Sequence, residues 1–280
     1  MPRAIDIHVH PPIEPGRPPP RYQDYMDRFF KSGPRPNAEE MAALYQELDL
    51  LGVLLATNAE STMGDPPVRN EWVAELVARY PDRFIGFCAV DVWQGKKAVR
   101  ELERAVKELG LKGLKLHPMM QEFFPNDRQV YPIYEKCVEL GVPVLFHSGT
   151  TVVGAGMPGG GGIRLKYGRP IYVDDVAVDF PDLTIILAHP SVPWHDEQLA
   201  IALHKPNVYI DLSGWAPKYF PPNVIQYANT LLQDKVLFGS DYPGVRPDRW
   251  LREFEAGPFK EEVRPKILLE NARSVLKLHV

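Results

Sequence analysis

Apolar residues recur along this chain in two patterns that alternate from one end to the other. One is a short, nearly continuous apolar run bounded by Gly, Pro or polar residues, which reads as a buried strand. Such runs fall at 4–10, 53–59, 83–90, 111–118, 142–148, 184–189, 208–213 and 236–241. The other pattern is an apolar stripe at helical spacing. Asn37 and Glu40 form a capping pair ahead of Met41, Leu44, Tyr45, Leu48 and Leu51, predicting a helix over about 38–51 that Gly52 ends. Trp72, Val73, Leu76, Val77 and Tyr80 mark a second helix at 70–80, and Ala98, Val99, Leu102, Ala105, Val106 and Leu109 a third at 96–109. Further helices are predicted at 131–140, 170–180, 196–204, 222–232, 246–255 and 260–278.

Eight strands, each followed by a helix, predict an α/β chain whose parallel sheet closes into a (β/α)8 TIM barrel, one domain over residues 1–280. An open doubly wound sheet fits less well, because no Gly-x-Gly-x-x-Gly follows a strand. Residues 11–36 form a Pro-rich insertion after the first strand, with an aromatic patch from Tyr22 to Phe30. It is too long for a simple connection, which makes it a candidate lid. Gly154 to Gly162 lacks the Lys-Ser/Thr pair of a phosphate loop and reads as a mobile loop. Both segments follow strands in the βα sense, so both are expected on the rim of an active site.

The first strand, Ala4-Ile5-Asp6-Ile7-His8-Val9-His10, alternates apolar and polar residues. Strand geometry puts Asp6, His8 and His10 on one face, with Ile5, Ile7 and Val9 on the other. Two imidazoles two residues apart stand roughly 6.5 to 7 Å apart at Cα, close enough to share a metal ion. An isolated His-x-His is more often structural than ligating, so other strand ends must decide. Lys115 and His117 close strand four, His147 strand five, His189 strand six and Asp241 strand eight. Chemistry in such barrels is carried at these C-terminal strand ends. Three or four nitrogen donors with one carboxylate compose a catalytic site for one divalent ion, zinc first and manganese next. His8, His10, His147 and Asp241 are the expected ligands. His189 is expected to act as general base, Asp241 to shuttle protons as well, and Lys115 with His117 to face the substrate. His195, His204 and His279 fall in a loop, a helix and the C-terminus, where surface positions suit them.

Composition narrows the partners. The net charge of −4 and a pI near 6.1 provide no basic field for nucleic acid or an anionic membrane, leaving a small-molecule substrate. No apolar run approaches a membrane span, and a strand at residues 4–10 leaves no room for a signal peptide, so the cytoplasm is the expected compartment. Cys88 and Cys137 suit small buried hydrophobes better than a disulfide framework. Assembly into a homo-oligomer stays open.

Ile5-Asp6-Ile7-His8-Val9-His10, the strand-end His147 and His189, and Phe238-Gly239-Ser240-Asp241-Tyr242-Pro243, in this order, resemble the amidohydrolase superfamily. The likeness runs from residue 4 to Asn271-Ala272-Arg273. Within the superfamily the chain is similar to the branch that contains aminocarboxymuconate-semialdehyde decarboxylase and the resorcylate-type decarboxylases. The resemblance implies one metal ion on His8, His10, His147 and Asp241, and a catalytic His189. It also raises carboxylation of Lys115, against an unmodified cation facing a substrate carboxylate, and leaves Arg164, Arg169 and Arg246 as candidates for a carboxylate-binding arginine. The leading expectation is a hydrolase that attacks a small carboxylated substrate with metal-activated water. Non-oxidative decarboxylation of an aromatic or muconate-type acid is the alternative, and a non-catalytic binding barrel is the reading of another class.

Overall fold

A computed structural model of the protein describes residues 2–30 and 34–278; Gly33 and His279 lie outside the described residues. Its strands are β1 (Ala4–Val9), β2 (Leu50–Leu55), β3 (Phe84–Phe87), β4 (Leu114–Leu116), β5 (Val144–His147), β6 (Ile185–Ala188), β7 (Val208–Asp211) and β8 (Val236–Leu237). They pair in sequence order, all parallel, as β1 to β3 and β4 to β8. Single bridges, Cys88 to Leu114 and Val9 to Tyr242, carry the pairing across both gaps. Backbone bonds reinforce each seam. The Lys115 N–H donates to the Cys88 carbonyl at 2.7 Å, and at the other seam the Ile7 N–H donates to Phe238 at 3.0 Å and the Asp241 N–H to His8 at 2.9 Å. The ring is therefore continuous, and the expected (β/α)8 barrel is what the chain forms. Among the described residues no helix is long and apolar enough to cross a membrane.

Apolar side chains sort into two layers. Ile5, Ile7, Leu51, Val53, Leu145 and Ile186 fill the barrel interior, while Ala4, Val9, Leu50 and Leu54 pack outward against the helices. The helices Ala38–Glu47, Asn70–Arg79 and Lys96–Lys107 present the predicted stripes to that outer layer. The Asn37 and Glu40 capping box is present, with both reciprocal bonds at 2.9 Å.

Several boundaries differ from expectation for physical reasons. The first of these helices ends at Glu47, because Asp49 adopts a left-handed φ of 53°, and Leu51 and Gly52 belong to β2. Gly52 is no helix terminator. A Cβ there would stand 2.7 Å from the Tyr45 ring, so the absent side chain lets the helix lie on the strand. The insertion contains a helix, Gln23–Phe30, that its prolines concealed. The terminal helix expected over 260–278 is instead a 3-10 turn at Glu261–Val263, a π-helical turn at Lys266–Glu270 and a helix at Asn271–Val275.

The most consequential difference lies in β1. Asp6 pairs with Gly52 and Val9 with Leu54, so three steps along β1 match two along β2. That single extra residue is a bulge, and a one-residue slip moves every later side chain to the other face. Before it, Ile5 and Ile7 point inward and Asp6 outward; after it, His8 and His10 point inward and Val9 outward. The expectation that Asp6 shares a face with the two histidines, and Ile5 and Ile7 with Val9, is corrected by this bulge. Asp6 instead accepts from the Tyr45 hydroxyl at 2.7 Å, the Ser240 N–H at 2.8 Å and the Ser240 hydroxyl at 2.5 Å, tying β1 to the end of β8. Burial pushes its carboxyl up to about 7 despite these donors. Asp6→Ala leaves the donors buried and unpaired, and each such group costs about 1–3 kcal/mol. Urea unfolding is expected to show a loss of about 3 kcal/mol or more for Asp6→Ala, and about 1 kcal/mol for Tyr45→Phe, which removes one bond only.

Candidate metal and active site

The C-terminal strand ends open on a cavity of about 590 Å³ lined by His10, Lys115, His117, His147, His189 and Asp241. Its outer wall comes from the insertion and from Thr150 to Val153 and Ala155, with Gly156 lying against Tyr25. Both segments thus stand on the rim as expected. The insertion is pinned there by the Trp72 indole N–H, which donates to the Pro12 carbonyl at 2.9 Å, and by the Arg69–Glu14 ion pair.

Three donor atoms converge at the floor. Asp241 Oδ1 stands 3.0 Å from His10 Nε2 and 3.4 Å from His8 Nε2, and all three atoms lie within 4.8 Å of one another. Asp241 reaches this position through a left-handed φ of 67°, and His189 through one of 66°. Such conformations are rare outside glycine and persist where surrounding bonds enforce them, often at functional sites. Burial opposes the charge on Asp241, yet the His10 hydrogen bond and the adjacent imidazoles hold its carboxyl below the usual range. The donor set of two imidazole nitrogens and a carboxylate oxygen suits a divalent ion of the zinc or manganese type.

Behind His8 lies a pair of residues that the sequence reading passed over. Asp211 Oδ2 and Ser213 Oγ each stand 3.0 Å from His8 Nδ1, and both residues are fully buried. A carboxylate behind a histidine fixes the ring and leaves its far nitrogen free to ligate. Burial, and then the charge of Lys115, bring His8 down to about 3, so the ring is neutral. A second group, His8, His189 and Asp211, is also close. There Asp211 is engaged with His8 Nδ1, the ring nitrogen other than the one that faces Asp241, which makes it a support rather than a ligand. The signal was Ile210-Asp211-Leu212-Ser213 at the end of strand seven, the same strand-end rule that picked out the histidines.

The remaining expected residues are assembled but not all at one point. His147 turns Nδ1 to His189 Nε2 at 3.1 Å and Nε2 to the Thr150 carbonyl at 3.1 Å, outside the converging trio. His117 stacks on it with centroids 3.9 Å apart and accepts the Met120 N–H on Nδ1. Burial lowers the pKa of His117, His147 and His189, keeping all three neutral. Lys115 Nζ stands 3.4 Å from His8 Nε2, and burial pulls it down to about 8 against the pull of Asp211 and Asp241. Arg164, Arg169 and Arg246 are taken up in ion pairs with Glu122, Glu197 and Asp248 and do not line the cavity; Arg17, Arg35 and Arg249 do.

Comparison with known proteins places the chain in a family and supports the barrel fold. A family model described as amidohydrolase matches residues 5–278. The gamma-resorcylate decarboxylase of a Polaromonas species is 27% identical over 261 residues, 79% of each chain. The 2-keto-4-carboxy-3-hexenedioate hydratase of a Sphingobium species is 30% identical over 203 residues, 63% of this chain and 58% of that one. An uncharacterized TIM-barrel protein from Bordetella bronchiseptica superposes with a TM-score of 0.83 at 27% identity, covering 98% of both chains. A dihydroxybenzoic acid decarboxylase from Polaromonas, solved with bound manganese and 2-nitroresorcinol, shares the fold with a TM-score of 0.73 at 21% identity, covering 100% of this chain and 98% of its own.

Loss of an orienting carboxylate typically weakens metal binding about 10–100-fold. Asp211→Asn is therefore expected to lower affinity for zinc or manganese by about that factor in a chelator competition, with the fold retained. Unchanged affinity would remove Asp211 from the site.

Proposed function

We propose that this chain, which belongs to the amidohydrolase family, is a metal-dependent carboxy-lyase that decarboxylates a hydroxylated aromatic acid without oxidation. It is an amidohydrolase-type enzyme, and hydrolysis and decarboxylation would use the same floor. What favours decarboxylation over the hydrolytic reading is the gamma-resorcylate decarboxylase relative, which aligns over 79% of the chain. The convergence of His8, His10 and Asp241 donor atoms supports a metal-dependent reaction.

In this reading His8, His10 and Asp241 hold one divalent ion, with His147 the candidate fourth ligand. When bound, that ion supplies Lewis-acid polarisation and a fixed positive charge for the substrate's oxygens. Lys115 offers a buried cation to the carboxylate, and His117 forms the wall beside His147. Arg17 adds positive charge at the cavity wall, while Arg35, Arg249 and Glu14 are paired with Asp27, Glu253 and Arg69. The apolar and aromatic wall, including Trp72, Trp215 and Tyr22, excludes water from a flat ring. The carbon–carbon bond to the carboxylate breaks and carbon dioxide leaves. The bonding electron pair stays on the ring carbon, which takes a proton relayed by His189 or Asp241. Zinc and manganese both suit the donors, and the manganese in the solved dihydroxybenzoic acid decarboxylase makes it the first ion to try.

The experiment is a screen of zinc- and manganese-loaded protein against dihydroxybenzoates, muconate-type acids, amides and lactones, scored for carbon dioxide and for product. Carbon dioxide from a dihydroxybenzoate supports the proposal. Turnover of amides or lactones alone restores the hydrolytic reading, and water addition to an unsaturated dicarboxylate would favour the reaction named for the Sphingobium relative.

A positioned proton-transfer group contributes about 10²–10⁴ in rate. His189→Asn is therefore expected to keep its full metal content while kcat falls by about that factor. Lost metal would make His189 a ligand; near-normal turnover with full metal would exclude it from the reaction.

A further inference from the structure

The cavity is larger than a simple hydroxybenzoate requires. A dihydroxybenzoate takes roughly the space of five waters, about 150 Å³ at about 30 Å³ of liquid each. The cavity holds about 590 Å³, a size that suits a considerably larger organic ligand. Its ionic residues, His10, Lys115, His117, His147, His189 and Asp241, all stand at or just past strand ends and form the floor. The space above them is bounded by loops and by the insertion.

The chemistry of that upper space is apolar. Tyr22, Met26, Phe29 and Phe30 recur at helical spacing in and just before the helix Gln23–Phe30 and line the cavity, while Asp24 and Arg28 are exposed. The Phe30 ring lies against Gly244, where a Cβ would stand 3.2 Å from it, and a Cβ at Gly156 would stand 3.6 Å from Tyr25. The helix thus reaches from the turn after β8 to the loop after β5. Ile13 and Val245 continue the apolar surface. The charged side chains of this wall are engaged by protein partners: Glu14 with Arg69, Arg35 with Asp27, Arg249 with Glu253, and Arg17 as a donor to the Pro66 carbonyl.

One part of the stripe lacks a cover. A helix in water ordinarily buries its apolar face against protein. Phe29 is nevertheless 61% exposed, and Tyr219, on the loop after β7, is 60% exposed. Of the exposed large apolar side chains among the described residues, these two are the ones that line the cavity. Exposed apolar surface continuous with an active-site cavity marks a place where a ligand's own apolar surface is buried.

We propose that the insertion builds a second, apolar subsite above the floor, and that the substrate is a hydroxylated aromatic acid carrying an alkyl chain or second ring at the carbon opposite its carboxylate. The proposal rests on the decarboxylation reading for the head of that substrate. With the carboxylate at the floor, the opposite carbon points to the mouth, and a chain there runs past Ile13, Met26 and Phe30 to cover Phe29 and Tyr219. Each methylene fully removed from water adds about fourfold in affinity, so this subsite selects long acids over short ones.

Titration calorimetry of manganese-loaded protein tests this with resorcinols whose 2-nitro group stands in for the carboxylate and cannot leave as carbon dioxide. 2-Nitroresorcinol is compared with its 5-pentyl and 5-carboxymethyl derivatives. The pentyl compound is expected to bind about 10–100-fold tighter than the parent, its chain being partly buried, and the carboxymethyl compound no tighter. Phe29→Ser and Ile13→Ser are each expected to lower the pentyl-to-parent affinity ratio by about threefold or more. Phe29 is mostly exposed, so its replacement leaves the core intact. A pentyl derivative that binds no tighter than the parent overturns the proposal, as does a ratio unchanged in both variants or failure of all three compounds to bind. A carboxymethyl derivative that binds tighter than the pentyl one also overturns it, by making the wall an acid site beside Arg17. The reaction is judged apart, by carbon dioxide from 2,6-dihydroxy-4-pentylbenzoate: tight binding of the pentyl nitro compound without carbon dioxide keeps the subsite and removes the decarboxylation reading.

Discussion

The site depends on one extra residue in the first strand. Without the bulge between Asp6 and Val9, the alternation that buries Ile5 and Ile7 in the barrel would turn His8 and His10 outward into the helix layer. With it, the same strand serves the core at its start and the site at its end. The outward-facing Asp6 sits just before the slip and bonds Ser240, one residue before Asp241. The contact that stabilises the seam between β1 and β8 therefore also sets where Asp241 meets the two histidines. Left-handed backbone at Asp241 and His189 is held in place by the same network, through the Asp241 N–H to His8 bond and the Gln198 bond to the His189 carbonyl.

The layers around this floor divide the work by chemistry. The carboxylates of Asp211 and Asp241 stay ionised because the neighbouring imidazoles and hydrogen bonds compensate their burial, while His8 and His189 stay neutral because burial disfavours their charge. That combination leaves nitrogen lone pairs available to an ion. The insertion adds what the barrel lacks, a largely apolar wall above the floor that also carries Arg17.

Much of this was legible in the chain. The alternation of apolar runs and helical stripes is a local signal, and it located the eight strands and the helices between them. The strand-end rule likewise found His8, His10, Lys115, His117, His147, His189 and Asp241, all of which border the floor. What it missed had long-range causes. The bulge depends on pairing with β2, which no local pattern encodes. Gly52 reads as a helix terminator in the sequence, yet its reason is the Tyr45 ring packed against it. Asp211 and Ser213 stand at the end of an apolar strand without a histidine, so the strand-end rule could have flagged them, but their role behind His8 follows only from where β7 brings them. The three arginines singled out from the sequence are taken up by acidic partners on the surface, while Arg17 and Arg35 reach the cavity because the insertion folds over it.

The claim on which the account rests is that the bulge turns His8 and His10 onto Asp241 to form one divalent-ion site. Crystals of the manganese- or zinc-loaded protein, measured at the absorption edge of that metal, test it directly by anomalous scattering. The account predicts a single strong peak about 2.0–2.2 Å from His8 Nε2, His10 Nε2 and an Asp241 carboxylate oxygen. A peak bound instead by Asp211 and His189, or no peak at the floor of the cavity in fully loaded protein, would contradict it.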